Sequence, residues 1–357
     1  MAEPGEGAID LRSDTVTRPD RAMRAAMERA EVADNVIDTD PTMAVLERRI
    51  AVLLGMPAGL WMPSGTMANL VALMVHLQRG DRFLAPRDVH ILADELGGAA
   101  WLAGGMPEPM PHDGGPGRPS PSAVRSACPP TGTAYNELRT TLLCLENTHN
   151  AAGGAVTSPD EHERLVMAAR DRGLLVHLDG ARLWNAAVAL GVAPSALTTG
   201  VDSVQVCLSK GLGAPVGSVL AGNEEFIAAG RRVRQMLGGG VRQGGVLAAA
   251  GLVALDRIDE LVEDHGKART LASGLARLGW AVNRPETNIV LATVPSVPVM
   301  LTKLARLGIL ASEIAGQVRF VTHRDITHSG IEDVLVRISA GIAVAEPVEE
   351  IGFALEG

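Results

Sequence analysis

The feature that most constrains this 357-residue chain is a rhythm in its middle: short apolar runs of strand length alternate with segments carrying helix start and stop signals. Ala58–Trp61 is a brief apolar run, after which Ser64 caps a helix expected to run through Ala68–Leu73 to Gly80. Arg82–Ala85 is the next strand. Thr141–Glu146 (TLLCLE) is a stronger one, apolar on both faces as in a buried parallel sheet. Ser158-Pro-Asp-Glu161 forms a capping box with proline at the first helical position, and Gly173 stops that helix. Leu174–Asp179 (LLVHLD) ends in a carboxylate, and Asp202–Leu208 and Val216–Ala221 are two further strands around a Gly/Pro turn. This order predicts an α/β fold: a large, doubly wound, mostly parallel sheet.

Two segments break the rhythm. Gly104–Thr133 is dense in glycine and proline and reads as a surface excursion with one short helix near Ser122–Ser126. Gly238–Gly240 precedes a long apolar helix, Gln243–Leu255. From Leu261 the pattern restarts, with a helix to Leu278, a strand at Asn288–Thr293, a helix at Val297–Leu307, a strand at Val318–Thr322 and a helix from Ser329. The expected organisation is an N-terminal arm (1–30), a large α/β domain (31–257) and a small C-terminal α+β domain (258–357), in line with the two domains that the length suggests.

Charge and cysteine content narrow the function. A net charge of −9 argues against a general electrostatic binder of nucleic acid or of an anionic membrane. The longest apolar stretch, Gly245–Leu255, falls far short of a span, and Met1–Gly7 has no apolar core of an export signal, so a cytoplasmic protein is expected. Cys128, Cys144 and Cys207 are too scattered for a disulfide framework or a zinc site.

Of 32 basic side chains only three are lysine, which draws attention to Lys210 in Cys207-Leu-Ser-Lys-Gly-Leu-Gly213. By spacing alone it is either an ordinary loop lysine or a Schiff-base lysine at a strand end, with Gly211 and Gly213 giving a cofactor access to backbone. Asp179, at the carboxyl end of a buried strand, is either a helix cap or a partner for a pyridinium nitrogen. Arg182 follows one turn later with a fork suited to a carboxylate. Pro63-Ser-Gly-Thr66 opens a helix whose free N–H groups could hold a phosphate, a weak signal by itself. A lone histidine is more often a hydrogen-bonded structural residue, but His90 and His149 both fall at strand ends on the presumed ligand side.

Taken together, Leu145-Glu-Asn-Thr-His-Asn150, His177-Leu-Asp-Gly-Ala-Arg182 and Ser209-Lys-Gly-Leu-Gly213, with Leu11–Arg18, Asp40-Pro-Thr42, Pro63–Asn69, Gly238–Gln243 and Arg319–Asp325, closely resemble the L-threonine aldolase family of pyridoxal-phosphate enzymes, fold type I. The resemblance covers nearly the whole chain apart from Gly104–Thr133. It implies pyridoxal 5′-phosphate as cofactor, carried by Lys210, with Asp179 at the pyridine nitrogen and His90 stacked on the ring. Gly65 and Thr66 would bind the phosphate, helped by Arg242 across a subunit interface. Ser13, Arg182 and Arg319 would hold the amino-acid carboxylate, and His149 would lie beside the substrate hydroxyl.

The implied activity is retro-aldol cleavage of an L-β-hydroxy-α-amino acid such as L-threonine or L-allo-threonine to glycine and an aldehyde, by a homodimer or homotetramer. Its hydroxyl base would be His149, His90 or a water. The partners expected are a small amino acid and further copies of the chain, not nucleic acid or membrane. Asp34–Thr42 departs from the family's usual Asp-Asp-Val-Tyr-Gly-Glu-Asp-Pro-Thr, with Ile37 in place of an aromatic and Thr39 in place of glutamate. Asp94 also stands where an aromatic is expected. These departures keep open a β-eliminating or aldol-transfer enzyme on the same fold; a non-catalytic cofactor-binding regulator is a more distant alternative.

Overall fold

The middle of the chain does build one large sheet. A computed structural model describes residues 7–128 and 135–342; residues 1–6, 129–134 and 343–357 lie outside the described residues, and with them the end of the Gly/Pro-rich excursion, most of Met1–Gly7 and the last part of the small domain. The strands in chain order are β1 (Ile9–Asp10), β2 (Ala58–Met62), β3 (Arg82–Pro86), β4 (Met106–Met110), β5 (Thr140–Glu146), β6 (Leu175–Gly180), β7 (Ser203–Cys207) and β8 (Ser218–Gly222), then β9 (Ala281–Val282), β10 (Ile289–Thr293), β11 (Ile309–Leu310), β12 (Ser312–Ile314) and β13 (Gln317–Val321).

The large sheet runs β2-β8-β7-β6-β5-β3-β4, parallel except for β8, which is antiparallel to both neighbours. Its central strands carry the most continuous apolar runs because helices cover both faces: β7 and β8 are buried along their whole length. The small sheet, β12-β13-β10-β9, is antiparallel and packs a second apolar core, in which Phe320, Val290 and Leu304 are fully buried. The N-terminal arm belongs to both units. β1 pairs in parallel with β11, and Leu11 is fully buried in the small-domain core, whereas Met23 lies in the core of the large domain.

The structure corrects the expected elements in two places. The stretch Gly104–Thr133 is not only a surface excursion, for it contributes β4 as the edge strand of the large sheet, besides the helix Pro121–Ala127. The sequence Met-Pro-Glu-Pro-Met hides this strand. Met106 N–H donates to Asp81 and Met110 C=O accepts from Arg87, so these residues face β3; the prolines alternate with them and put their missing N–H on the outer edge. The helix after Ser64 ends at His76 rather than at Gly80. Among the described residues no helix is long and apolar enough to cross a membrane.

Candidate active site

Polar residues in otherwise apolar strands mark where this sheet does its work. The parallel register sets Glu146, Asp179 and Gln205 side by side across β5, β6 and β7. Two residues earlier, and so on the same face, Cys144, His177 and Ser203 form a second row. The helix Gly65–His76 lies against this face and adds Asn69 and His76.

Buried Asp179 receives three hydrogen bonds: from Asn69 Nδ2 (2.7 Å), from the Ala181 N–H (3.0 Å) and from Gln205 Nε2. Burial opposes its ionisation, but the charges of His90 and Lys210 and these donors hold the carboxyl below the usual range. A carboxylate offers about four acceptor positions. Three are used, so one more N–H donor, such as a protonated ring nitrogen, can be accommodated.

Above this floor lies a cavity of about 240 Å³ lined by Ser13, Thr15, His90, Asp94, Asn150, Arg182, Lys210, Glu313, Ile314 and Arg319. Lys210 follows β7, and its ammonium has no hydrogen-bond or ion-pair partner among the described residues. Its carbonyl is held by Thr17 Oγ1 (2.8 Å) from the N-terminal arm. Arg319, from β13 of the small domain, donates to Asn150 Oδ1 (2.8 Å), Ser312 Oγ (3.1 Å) and the Arg12 carbonyl (3.2 Å), but to no carboxylate. Burial first, and then the nearby charge of Arg182, push it down to about 10, so it remains a cation at neutral pH that lacks a counter-ion. Such a group suits an incoming carboxylate.

Several expected residues come together here and others do not. Lys210, His90, Ser13, Arg182 and Arg319 share the cavity, with Asp179 beneath them. Gly65 and Thr66 are not cavity-lining, but they open the helix that carries Asn69. Their N–H groups, the first two of that helix, have no partner among the described residues, and they lie about one turn, ~6 Å, from the residue that holds Asp179. A free helix N-terminus beside an ionised carboxylate and an unpartnered lysine fits pyridoxal phosphate: Gly65 and Thr66 would hold its phosphate, Asp179 its ring nitrogen and Lys210 its aldehyde carbon.

Three expectations need correction. Arg182 does not offer its fork to the cavity: Nε and Nη2 close on Asp14 (2.8 and 2.7 Å), and only Nη1 turns toward Asn150 (3.2 Å). His149 does not line the cavity; it is buried with its ring edge-on to His112 (5.1 Å), Nε2 has no partner among the described residues, and Asn150 takes the wall position beside it. Arg242, expected to act across a subunit interface, is paired with Asp34 of its own chain (3.1 Å) and does not line this cavity. Gly211 and Gly213 serve packing rather than cofactor access, since a Cβ would come within 2.8 Å of Leu261 and 2.9 Å of Arg324, respectively. Ile37 is exposed (84 %), whereas Asp94 does line the cavity.

Sequence reading missed Asp14, Asn69, Glu95, Glu146, Asn150 and Gln205. Glu146 and Gln205 carried a readable signal, a polar side chain in a buried strand beside Asp179. Asp14, Asn69 and Glu95 are brought in from elements distant in the chain.

Residues 10–296 match the family model described as β-eliminating lyase. A probable low-specificity L-threonine aldolase 2 of Arabidopsis thaliana is 41% identical over 339 residues, 92% of this chain and 95% of that protein. The low specificity L-threonine aldolase of Escherichia coli (strain K12) is 40% identical over 94% of this chain and 99% of its own. Among solved structures, a Leishmania major threonine aldolase superposes with a TM-score of 0.77 at 20% identity, over 92% of this chain and 99% of that one.

The Asp14–Arg182 pair yields a stability test. Burial disfavours the charged carboxyl, yet Arg182 holds it far below its usual value. Its stabilising contribution is therefore complete above about pH 4 and lost as the pH falls toward the folded-state value. Asp14→Asn leaves Arg182 buried without its counter-ion and is expected to cost about 3–5 kcal/mol in urea unfolding at pH 7. A loss below 1 kcal/mol would contradict the clamp.

Proposed function

The chain belongs to the β-eliminating lyase family and, within it, to the L-threonine aldolases; on that premise we propose that it works in the cytoplasm on L-threonine or a related L-β-hydroxy-α-amino acid, and that Lys210, Asp179, His90 and Arg319 carry the reaction. It is a carbon–carbon lyase that uses pyridoxal 5′-phosphate and yields glycine and an aldehyde. When bound, the cofactor supplies a sink for the electron pair freed as the Cα–Cβ bond breaks.

The observation that carries this assignment of roles is the pair of cations, Lys210 and Arg319, that share one cavity over an ionised carboxylate and have no ion-pair partner among the described residues. Lys210 offers the nucleophilic amine. Asp179, kept charged in a dry setting, holds a proton on the ring nitrogen. Arg319 takes the substrate carboxylate in two parallel hydrogen bonds, with Asn150 and Ser13 beside it, and so orients the bond that is to break. Of the two candidate histidines only His90 lines the cavity. The hydroxyl proton therefore passes to His90 Nε2 or to a water held there, because Nδ1 is already bound to Glu95 (2.8 Å).

Arg242 and the exposed apolar side chains around it, Val32, Val36 and Ile37, support a homodimer in which Arg242 reaches the neighbouring subunit's phosphate. Light scattering is expected to show a dimer or larger assembly, and Arg242→Ala to retain its cofactor less well on dialysis. An active monomer would exclude this arrangement.

Two further outcomes test the chemistry. Given L-threonine, L-allo-threonine, L-phenylserine and L-serine, the holoenzyme is expected to form glycine and aldehyde from at least one. Lys210→Ala should lose on the order of 10³-fold in rate and the borohydride-trapped adduct. Pyruvate and ammonia as the products would instead mark β-elimination, and trapping on Lys267 or Lys303 would move the site.

Arg319→Lys keeps the charge but loses the fork. It is expected to lower kcat/KM roughly 10- to 150-fold, the equivalent of one charge-assisted contact, with cofactor retention unchanged. Cleavage at the wild-type rate would remove Arg319 from the carboxylate site.

A further inference from the structure

Glu95 has no part in the roles assigned above, yet it makes the closest side-chain contact to His90. It lies five residues on, where the chain turns through Leu96 (φ 52°) and Gly97 (φ 72°). This turn sends Glu95 inward, to 7 % exposure, while Leu96 is left 98 % exposed. A buried carboxylate is costly unless it is hydrogen-bonded, and Glu95 is bonded twice through the same oxygen. Oε1 binds His90 Nδ1 (2.8 Å) and accepts from Asn69 Nδ2 (2.8 Å). The same Asn69 amide donates to Asp179 Oδ2 (2.7 Å), so one NH₂ group bridges the two carboxylates.

That bridge settles the protons beyond it. With the amide turned to two acceptors, Asn69 Oδ1 must accept from His177 Nε2–H (3.1 Å). Burial keeps His177 and His76 neutral, pushed down to about 3 and about 4. Nδ1 of His177 therefore accepts from the Ser203 hydroxyl (2.8 Å), which in turn accepts from His76 Nε2–H (2.7 Å). Every donor in this chain has one direction, and it ends at Glu95, which when ionised faces His90 with an acceptor; burial raises its carboxyl, and the hydrogen bonds from His90 and Asn69 oppose that.

We propose that Glu95 is a positioning residue of the aldolase site: it pins the His90 ring by Nδ1–H, leaves Nε2 as the only nitrogen facing the cavity, and shares with Asp179 the amide that fixes both. The inference rests on the reading that His90 faces cofactor and substrate. The groups facing His90 are Glu95 and Asp94 from its own turn, Glu146 from the end of β5 through the backbone N–H (2.7 Å), Asp179 from β6 and Lys210 after β7. Burial and Lys210 disfavour the charged ring; the hydrogen bond and charge of Glu95, together with Asp179, outweigh them, so removing the Glu95 charge should make His90 easier to deprotonate.

The test is a titration of the holoenzyme labelled with ¹³C and ¹⁵N in histidine, with the His90 signals identified by their loss in His90→Asn. In wild type, His90 is expected to keep its Nδ1 proton and to titrate at Nε2. In Glu95→Gln the His90 midpoint should fall by about one pH unit or more, with the acid limb of the kcat/KM profile moving the same way. Glu95→Asp, which keeps the charge on a shorter arm, should recover part of the shift. A merely structural Glu95 would lower Tm and leave the His90 midpoint where it is, which would overturn the proposal. Should neither variant fold, the wild-type ¹⁵N shifts decide alone: an Nε2–H neutral tautomer refutes the proposal, and an Nδ1–H tautomer upholds it. Failure of the wild-type enzyme to cleave any β-hydroxy amino acid would end the aldolase reading and leave the nitrogen assignment standing.

Discussion

A carboxylate cut off from water at the end of β6 has to stay ionised, and the large domain is organised around meeting that demand. Desolvation alone would protonate Asp179. The charges of His90 and Lys210 oppose this, and three donors add to them, each delivered by a different part of the fold: Gln205 by the register of β7, the Ala181 N–H by the turn after β6, and Asn69 by the helix that opens at Ser64. Gly65 is what lets that helix come close enough. A Cβ there would stand 2.9 Å from Cys207 Sγ, so the same glycine that bares two N–H groups also allows Asn69 to reach β6. Anion binding and charge stabilisation are in this way two consequences of one close approach.

The second organising contact joins the parts of the chain. Asp14 on the N-terminal arm grips Arg182 of the large domain, and Asn288 Nδ2 of the small domain donates to the same carboxylate (3.1 Å). Asn150 Oδ1 then accepts from Arg182 on one side and Arg319 on the other. Arg182 is therefore a strut. By tying up its own fork on Asp14 it gives Asn150 a rigid setting and leaves Arg319 in the cavity without a counter-ion. The small domain carries that arginine on β13, and the arm is tied to that strand by the Val321 N–H, which donates to the Leu11 carbonyl (2.8 Å).

The amino-acid sequence by itself determined the local elements and the residues whose chemistry is tied to them. Apolar runs bounded by caps and glycines located β5, β6, β7 and β8, and the carboxyl ends of those strands pointed to Asp179 and Lys210, because an open parallel sheet binds ligands there. The motifs around these residues were also sufficient to place the family. What escaped was either disguised or non-local. β4 was disguised by prolines that an edge position tolerates. His149, adjacent in sequence to the wall residue Asn150, was one residue out of step: it forms an antiparallel bridge with Ala155, and successive side chains of bridged, extended backbone point in opposite directions. Only the tertiary structure decided which charges meet: that Asp14, 168 positions away, would take the fork of Arg182, that Asn69 would bridge Glu95 and Asp179, and that Arg319 would be left unpaired. Periodicity reports how a residue sits on its own element. The energy of a buried charge depends on groups from other elements within a few ångströms, and chain packing alone sets which those are.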